Sequence, residues 1–220
     1  MQHRVFRRRE VVFLVGVPLA WAVLLLFHPG GEGKELYLDL RHSVTSALVV
    51  HIGMLLFIPL MAVVVLVLLR GIDGTAAWIS RIALVPFVIF YSAWEVLQGI
   101  AVGILVGKVN GLPESERSTG ADLVQDFAES AFAREFGVFA SLGTVGLVTA
   151  LIAAGIALRR NADAPRFVMV LLGLSGFLIA AHPPPFGPVG LVLFAAAVLL
   201  LVRSQSGARA TDPLGRPKSR

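Results

Sequence analysis

Long apolar blocks alternate with short polar stretches along this chain. Six apolar segments can be read, at about residues 11–27, 44–69, 82–106, 137–158, 167–181 and 188–202. Their hydrophobic residues run continuously and do not recur with the period of a half-buried strand or helix, which is typical of segments surrounded by lipid. Because a helix crosses a bilayer with about 20 residues, the pattern predicts an all-α polytopic membrane helical bundle with six transmembrane helices, over residues 1–203.

Three of these segments admit a second interpretation. Segments 167–181 and 188–202 have only 15 residues each, so a hairpin that dips into the membrane is the alternative to two spans. Arg166 and Arg203 bound the pair and favour two spans. Segment 11–27 follows arginines, as in a signal peptide, but it is longer than the usual apolar region and lacks a clear small-residue cleavage site. We therefore expect a retained first helix.

The polar connection between the third and fourth spans contains a different helical signal. In ADLVQDFAESAFAREF, residues 121–136, one helical face collects Leu123, Val124, Phe127, Ala131 and Phe132. Most of the acids fall on the other face. This pattern predicts a short amphipathic helix on the outer surface or capping the bundle. A simple entry ramp into the fourth span explains it equally well.

The distribution of basic residues sets the expected orientation. Fourteen of the 19 Lys and Arg residues lie in the N-terminal segment, the 70–81 and 159–166 loops and the C-terminal tail, and five lie in the other loops. This asymmetry fits an even number of spans with both termini cytoplasmic. The expected location is the plasma membrane, specifically a bacterial inner membrane. Residues 204–220 are polar and lack periodicity, so we expect a disordered cytoplasmic tail.

Composition narrows the classes of protein further. Hydrophobic residues make up 56% of the chain and charged residues 15%, too few charges to cover a soluble domain of 220 residues. The absence of cysteine excludes disulfides, thiolate metal sites, iron–sulfur clusters and c-type haem. The pI of about 10.4 is explained by the membrane orientation, so the expected partner is the lipid bilayer and not nucleic acid.

Histidines are concentrated in the outer half of the predicted bundle. His28 ends the first span, His42 precedes or opens the second, His51 lies inside the second, and His182 lies in HPPPFGP between the fifth and sixth. The prolines of that stretch are explained by a tight outer turn, but the histidine is not. Neutral imidazoles bind transition metals and haem iron.

The pattern therefore predicts an outward-facing site for a transition metal or haem b. Its expected ligands are His28, His42, His51 and His182, with His51 and His182 as the cofactor-binding pair. His42 and His51 are nine residues apart and point about 180° apart on one straight helix, so they share a centre only if His42 precedes the helix. The sequence contains no His-x-x-x-His pair, so the ligand spacing typical of a zinc hydrolase is absent.

Glu95 is the only acid well inside a predicted span. Tyr91 and Gln98 lie four residues before it and three after it, on the same helical face. A carboxyl at such depth marks a functional site by default, so Glu95 is predicted to be a proton acceptor or relay. Counted from the outer helix ends, Glu95 lies about 18 Å deep and His51 about 10 Å deep, so we expect no direct contact between them.

Three functions fit these features. The first is a metal- or haem-binding redox protein, with the histidines as ligands and Glu95 as a deeper carboxyl. A metal-dependent hydrolase is a minor version of it. The second is a proton-coupled transporter or channel for a small solute, in which Glu95 titrates, Tyr91 and Gln98 line the path, and a homodimer is expected. The third is a non-catalytic subunit of a larger membrane complex.

Overall fold

The computed structural model describes residues 6–29 and 35–210, and every regular element within these ranges is helical. The eight helices are α1 Arg8–Leu25, α2 Leu36–Leu40, α3 Val44–Leu68, α4 Thr75–Asn110, α5 Glu114–Ala128, α6 Val138–Asn161, α7 Arg166–Ala180 and α8 Phe186–Ala210. The predicted all-α class is confirmed. Of the tail expected at 204–220, the first residues continue α8, and residues 211–220 lie outside the described residues.

Four helices are long and apolar enough to cross a membrane: α3, α4, α6 and the Phe186–Gln205 part of α8. Helix α7 is apolar but has 15 residues, and α1 has 18 residues with three charged side chains at its start. The helices keep hydrophobic side chains on their outward faces, such as Val49, Ile52 and Leu56 on α3. An apolar outer face is what a lipid environment requires, and it supports a membrane location.

The six long helices close into a ring in chain order. Helix α1 packs on α3, α3 on α4, α4 on α6, α6 on α7, α7 on α8, and α8 returns to α1. One large apolar core fills the ring, and its largest fully buried side chains include Leu14, Trp21, Met54, Ile58, Phe87, Tyr91, Leu147 and Phe194. The ring brings the C-terminal ends of α1 and α7 and the N-terminal ends of α3 and α8 to one end of the bundle, which we call the histidine end.

Helix α4 is distorted where it faces the interior. Two stretches, Phe87–Tyr91 and Glu95–Ala101, have π-helical hydrogen bonding, and the first directly follows Pro86, which cannot donate a backbone hydrogen bond. Helix α6 approaches these turns closely through Gly143 and Gly146. A methyl group at either glycine would lie 2.7 or 2.6 Å from a backbone nitrogen of α4, so only glycine allows this contact.

A second, smaller core lies at the histidine end, outside the ring. It joins α2, the last turns of α4 and α5, through Leu36, Tyr37, Leu40, Val102, Val106, Val109, Val124 and Ala128. Helix α4 has 36 residues, and at about 1.5 Å per residue it is longer than the hydrocarbon core, about 30 Å thick. The last turns of α4 therefore extend beyond the length needed to cross the hydrocarbon core, and α2 and α5 pack against these turns.

The predicted amphipathic helix exists, but its predicted bounds are wrong. Helix α5 ends at Ala128, and residues 129–137 form turns that lead into α6. Leu123 and Phe132 are 65% and 53% exposed, so the predicted apolar face is not one buried stripe. The helix begins earlier because Pro113 precedes it and its first turn is acidic, both of which favour a helix start.

Candidate metal centre

Three histidines converge at the histidine end. His28 follows α1, His51 lies in the second turn of α3, and His182 lies between α7 and α8. The Nε2 atom of His28 lies 3.3 Å from Nε2 of His51 and 3.1 Å from Nε2 of His182. One ring nitrogen from each of the three lies within 4.8 Å of the others, and such a group could hold a metal ion.

His42, the fourth predicted ligand, is not in this group. It is exposed in the turn that precedes α3, which begins at Val44. The predicted condition for a shared site, that His42 lies before the helix proper, is met. The side chain is nevertheless exposed, while His51 is buried against α4. Of the four predicted ligands, the structure thus brings His28, His51 and His182 together and leaves His42 apart from them.

Backbone carbonyls fix the tautomers of two of the three rings. Nδ1 of His28 lies 2.8 Å from the carbonyl oxygen of Pro29, and Nδ1 of His51 lies 2.7 Å from that of Ala47. A carbonyl oxygen only accepts, so each Nδ1 carries the hydrogen and each Nε2 presents its lone pair. The 3.3 Å contact between these two Nε2 atoms therefore joins two acceptors in the neutral state, and a bound cation would stabilise it.

Burial keeps the two loop histidines neutral. His182 is 7% exposed and His28 is half-buried. Burial, with a smaller contribution from His51, lowers the pKa of His28 from its usual value to about 4. Burial, with contributions from His28 and His51, also lowers the pKa of His182 well below its usual value. The neutral imidazole is the form that binds a metal.

Glu95 lies directly beside the histidine group. Its Oε2 atom is 3.8 Å from Nε2 of His51, its side chain is 1% exposed, and its Oε1 atom is buried without a hydrogen-bond partner. The expectation of no direct contact is wrong. The ring of His51 lies against Gly99, and Glu95 is only one turn of α4 away. The lengths of the His51 and Glu95 side chains therefore make up the difference in depth that was predicted for their positions along the two helices.

The side chains around Glu95 hold the site together. Tyr91 donates a hydrogen bond to the carbonyl oxygen of Ala180 (3.1 Å), two residues before His182. Trp94 donates from Nε1 to the carbonyl oxygen of Ala133 (2.7 Å), and its ring lies edge-on to that of His182, with centroids 5.1 Å apart.

Sequence reasoning missed Trp94. The only signal for Trp94 in the sequence was that this aromatic residue directly precedes Glu95, the acid inside a predicted span.

A cavity of about 660 Å³ is lined by all three histidines. Its lining combines the histidines with apolar and polar side chains, namely His28, Pro29, Leu36, Leu40, His51, Trp94, Gln98, Glu135, His182, Pro183 and Pro184. The Oε1 atom of Gln98 is buried without a hydrogen-bond partner. The predicted residue Gln98 thus lies in the cavity wall, whereas Tyr91 is fully buried in the core.

Comparison with protein-family models, with curated proteins and with solved structures gave no significant match. We therefore infer what this site can bind from the ligand chemistry of its own residues. Three imidazoles, two of them kept neutral by burial, are a ligand set that zinc and copper accept. The three histidines thus form a candidate transition-metal site.

Proposed function

We propose that this protein is a membrane metalloprotein whose transition-metal ion, Zn²⁺ or a copper ion, is bound by His28, His51 and His182. The observation that carries the proposal is the close approach of three Nε2 atoms, at 3.1 and 3.3 Å, two of which are fixed as acceptors. Two nitrogens bound to one tetrahedral Zn²⁺ at about 2.0–2.1 Å lie about 3.3 Å apart.

Haem b fits this arrangement less well than a single ion. Two axial imidazoles lie on opposite faces of a haem, so their nitrogens are about 4 Å apart with the iron and the porphyrin plane between them. At 3.1 Å, His28 and His182 leave no room for a porphyrin between them. For the predicted pair His51 and His182, the ring of His28 stands in the way, because its Nε2 atom lies within 3.3 Å of Nε2 of both. We therefore favour a single ion over the haem alternative.

We propose that α1 and α7 complete six spans, with both termini in the cytoplasm of a bacterium and the histidine end facing outward. Two features support this topology. The C-terminal ends of α1 and α7 and the N-terminal ends of α3 and α8 meet at the three histidines, so α1 and α3 run in opposite directions, as do α7 and α8. The loops at the opposite end, together with the termini, carry most of the Lys and Arg residues, as the positive-inside rule requires.

Metal analysis of the purified full chain tests the proposal. The wild type should bind one Zn²⁺ per chain, and His182→Ala should lose most of that metal because one of three ligands is removed. His42→Ala is the matched control, since it removes an exposed histidine outside the group, and its metal content should equal that of the wild type. Equal metal content in all three proteins, or none in the wild type, would contradict the proposal.

The proton-coupled transporter remains the second candidate. The buried, unpartnered oxygens of Glu95 and Gln98 favour it, since such groups line ion paths in membrane proteins. Beyond Glu95, however, α4 continues into the apolar core through Tyr91 and Phe87. A polar path is therefore supported only near the cavity, and we rank transport below metal binding. Unchanged proteoliposome flux in Glu95→Gln would eliminate it.

A further inference from the structure

We propose that the centre is hydrolytic: it cleaves an ester of an amphiphilic substrate, with Glu95 as the proton acceptor for the attacking water. This inference rests on the metal centre proposed above and goes one step further, because it assigns the centre a reaction and a substrate class. It depends on three observations: the number of protein ligands in the set, the position of Glu95 and the lining of the cavity.

The ligand set consists of three protein side chains. Structural zinc sites are closed by four protein ligands, whereas catalytic sites keep three and leave the fourth position to water or substrate. Among the described residues, only His28, His51 and His182 form a group with metal-ligand spacing. All three also line the cavity of about 660 Å³. The cavity therefore offers space next to the ligand group that is large enough for a water molecule or a small substrate.

Glu95 lies beside His51 without belonging to the ligand group. Its Oε2 atom approaches Nε2 of His51 at 3.8 Å, and its Oε1 atom is buried without a partner. A carboxylate held in this way can accept a hydrogen bond from water at the fourth position. The unpartnered Oε1 is then explained, since a buried carboxylate oxygen otherwise costs free energy.

The cavity lining indicates an amphiphile. Leu36 and Leu40 of α2 and the ring of Trp94 supply apolar walls, and Gln98 and Glu135 supply polar groups. The cavity lies at the histidine end of the bundle, and in the proposed six-span topology this end meets the lipid head groups. A molecule with an apolar chain and an ester at its polar end matches both the lining and the location.

The reaction balances without a further reactant. The water oxygen forms a bond to the ester carbonyl carbon while one water proton passes to Glu95. The carbon–oxygen bond to the alcohol then breaks, and Glu95 returns the proton to the departing alkoxide. The products are a carboxylic acid and an alcohol, and Glu95 ends in its initial protonation state. The metal supplies Lewis-acid polarisation of the water and of the carbonyl.

The test uses the full-length protein in phosphatidylcholine nanodiscs. The Co²⁺-loaded protein is titrated with octanohydroxamic acid, and the visible cobalt absorption reports whether an oxygen donor reaches the fourth position. Separately, the Zn²⁺-loaded protein is assayed with p-nitrophenyl octanoate and p-nitrophenyl acetate. We expect a saturable spectral change and faster turnover of the octanoate ester.

Two variants assign the role of Glu95. Glu95→Gln should retain its Zn²⁺ and its spectral response but lose at least about 100-fold in kcat, as is typical when a general base is removed. Glu116→Gln, an exposed acid on α5, is the matched control and should keep wild-type kcat. Equal kcat in Glu95→Gln and wild type would refute the assignment to Glu95.

The failure modes are distinguishable. Stoichiometric metal without a spectral response, or with a response but no ester turnover, overturns the hydrolytic inference and leaves the metal centre intact. Absence of bound metal in the wild type overturns the proposed function itself. Turnover that persists unchanged in His182→Ala would show that the hydrolysis does not use this centre, and it would also overturn the inference.

Discussion

Gly99 offers the sharpest steric test of the histidine group. A methyl group added at Gly99 would collide with the ring of His51 and would lie 2.7 Å from its Cβ atom. Rotation about χ1 moves the ring but not the Cβ atom. Since ordinary contact begins at 3.4 Å, a gap of about 0.7 Å must open between α3 and α4 (3.4 − 2.7 Å). Gly99→Ala therefore displaces His51 by more than the tolerance of a binding site, about 0.5 Å.

The expected effect has two parts. Overpacking of this kind costs about 1–3 kcal/mol, partly offset by the better helix propensity of alanine, about 1 kcal/mol. For metal binding, the displaced ligand should weaken Zn²⁺ affinity by about 10- to 100-fold, the range seen when groups that orient metal ligands are lost. Competition with a chromophoric chelator measures the affinity, and thermal unfolding in detergent measures the stability.

Gly107→Ala is the matched control for this prediction. Gly107 is on the same helix and faces α3, but a methyl group there would lie 3.6 Å from Val44, an ordinary contact. This variant should bind Zn²⁺ like the wild type and should be equally or slightly more stable. If Gly99→Ala and Gly107→Ala had the same affinity for Zn²⁺, the packing of His51 against α4 would be refuted.

Two further predictions concern the anchoring of His182 and the charge state of the group. Tyr91→Phe removes the hydrogen bond to Ala180 and should lower the free energy of unfolding by about 1 kcal/mol, measured by thermal unfolding; an unchanged value would show that this bond contributes nothing. In the metal-free protein, the pKa of His28 is about 4 when folded and about 6.5 when unfolded, so the unfolded state binds more protons between these values. Stability should therefore fall as pH drops from about 6.5 to 4. A flat profile of unfolding temperature over that range in the wild type, or the same slope in His28→Ala, would contradict the prediction.

Much of the helical framework could be predicted from the sequence because each lipid-facing helix must be apolar over its whole length. The segment predicted at 44–69 appears as Val44–Leu68, and that at 137–158 as Val138–Asn161. The beginning of α4 at Thr75 was not predicted, because its first turns contain Arg81 and extend beyond the apolar block. Polar helical turns outside the hydrocarbon leave no hydropathy signal.

The site was predictable in its residue types but not in its contacts. Counting along helices placed His51 and Glu95 at different depths, whereas their contact depends on the close approach of α3 and α4 at Gly99. The exclusion of His42 depends on where α3 begins and on which side chains face the ring interior. Such lateral relations between helices arise from packing, and the pattern of a single sequence does not encode them directly.

X-ray absorption spectroscopy at the zinc edge of the purified, Zn²⁺-loaded chain tests the central claim most directly. The account predicts three imidazole nitrogens per zinc ion, at about 2.0–2.1 Å, with one further light-atom ligand. In His182→Ala, any zinc that remains should show fewer imidazoles. A zinc environment made of oxygen donors alone, or an identical imidazole count in the wild type and in His182→Ala, would contradict a metal centre built by His28, His51 and His182.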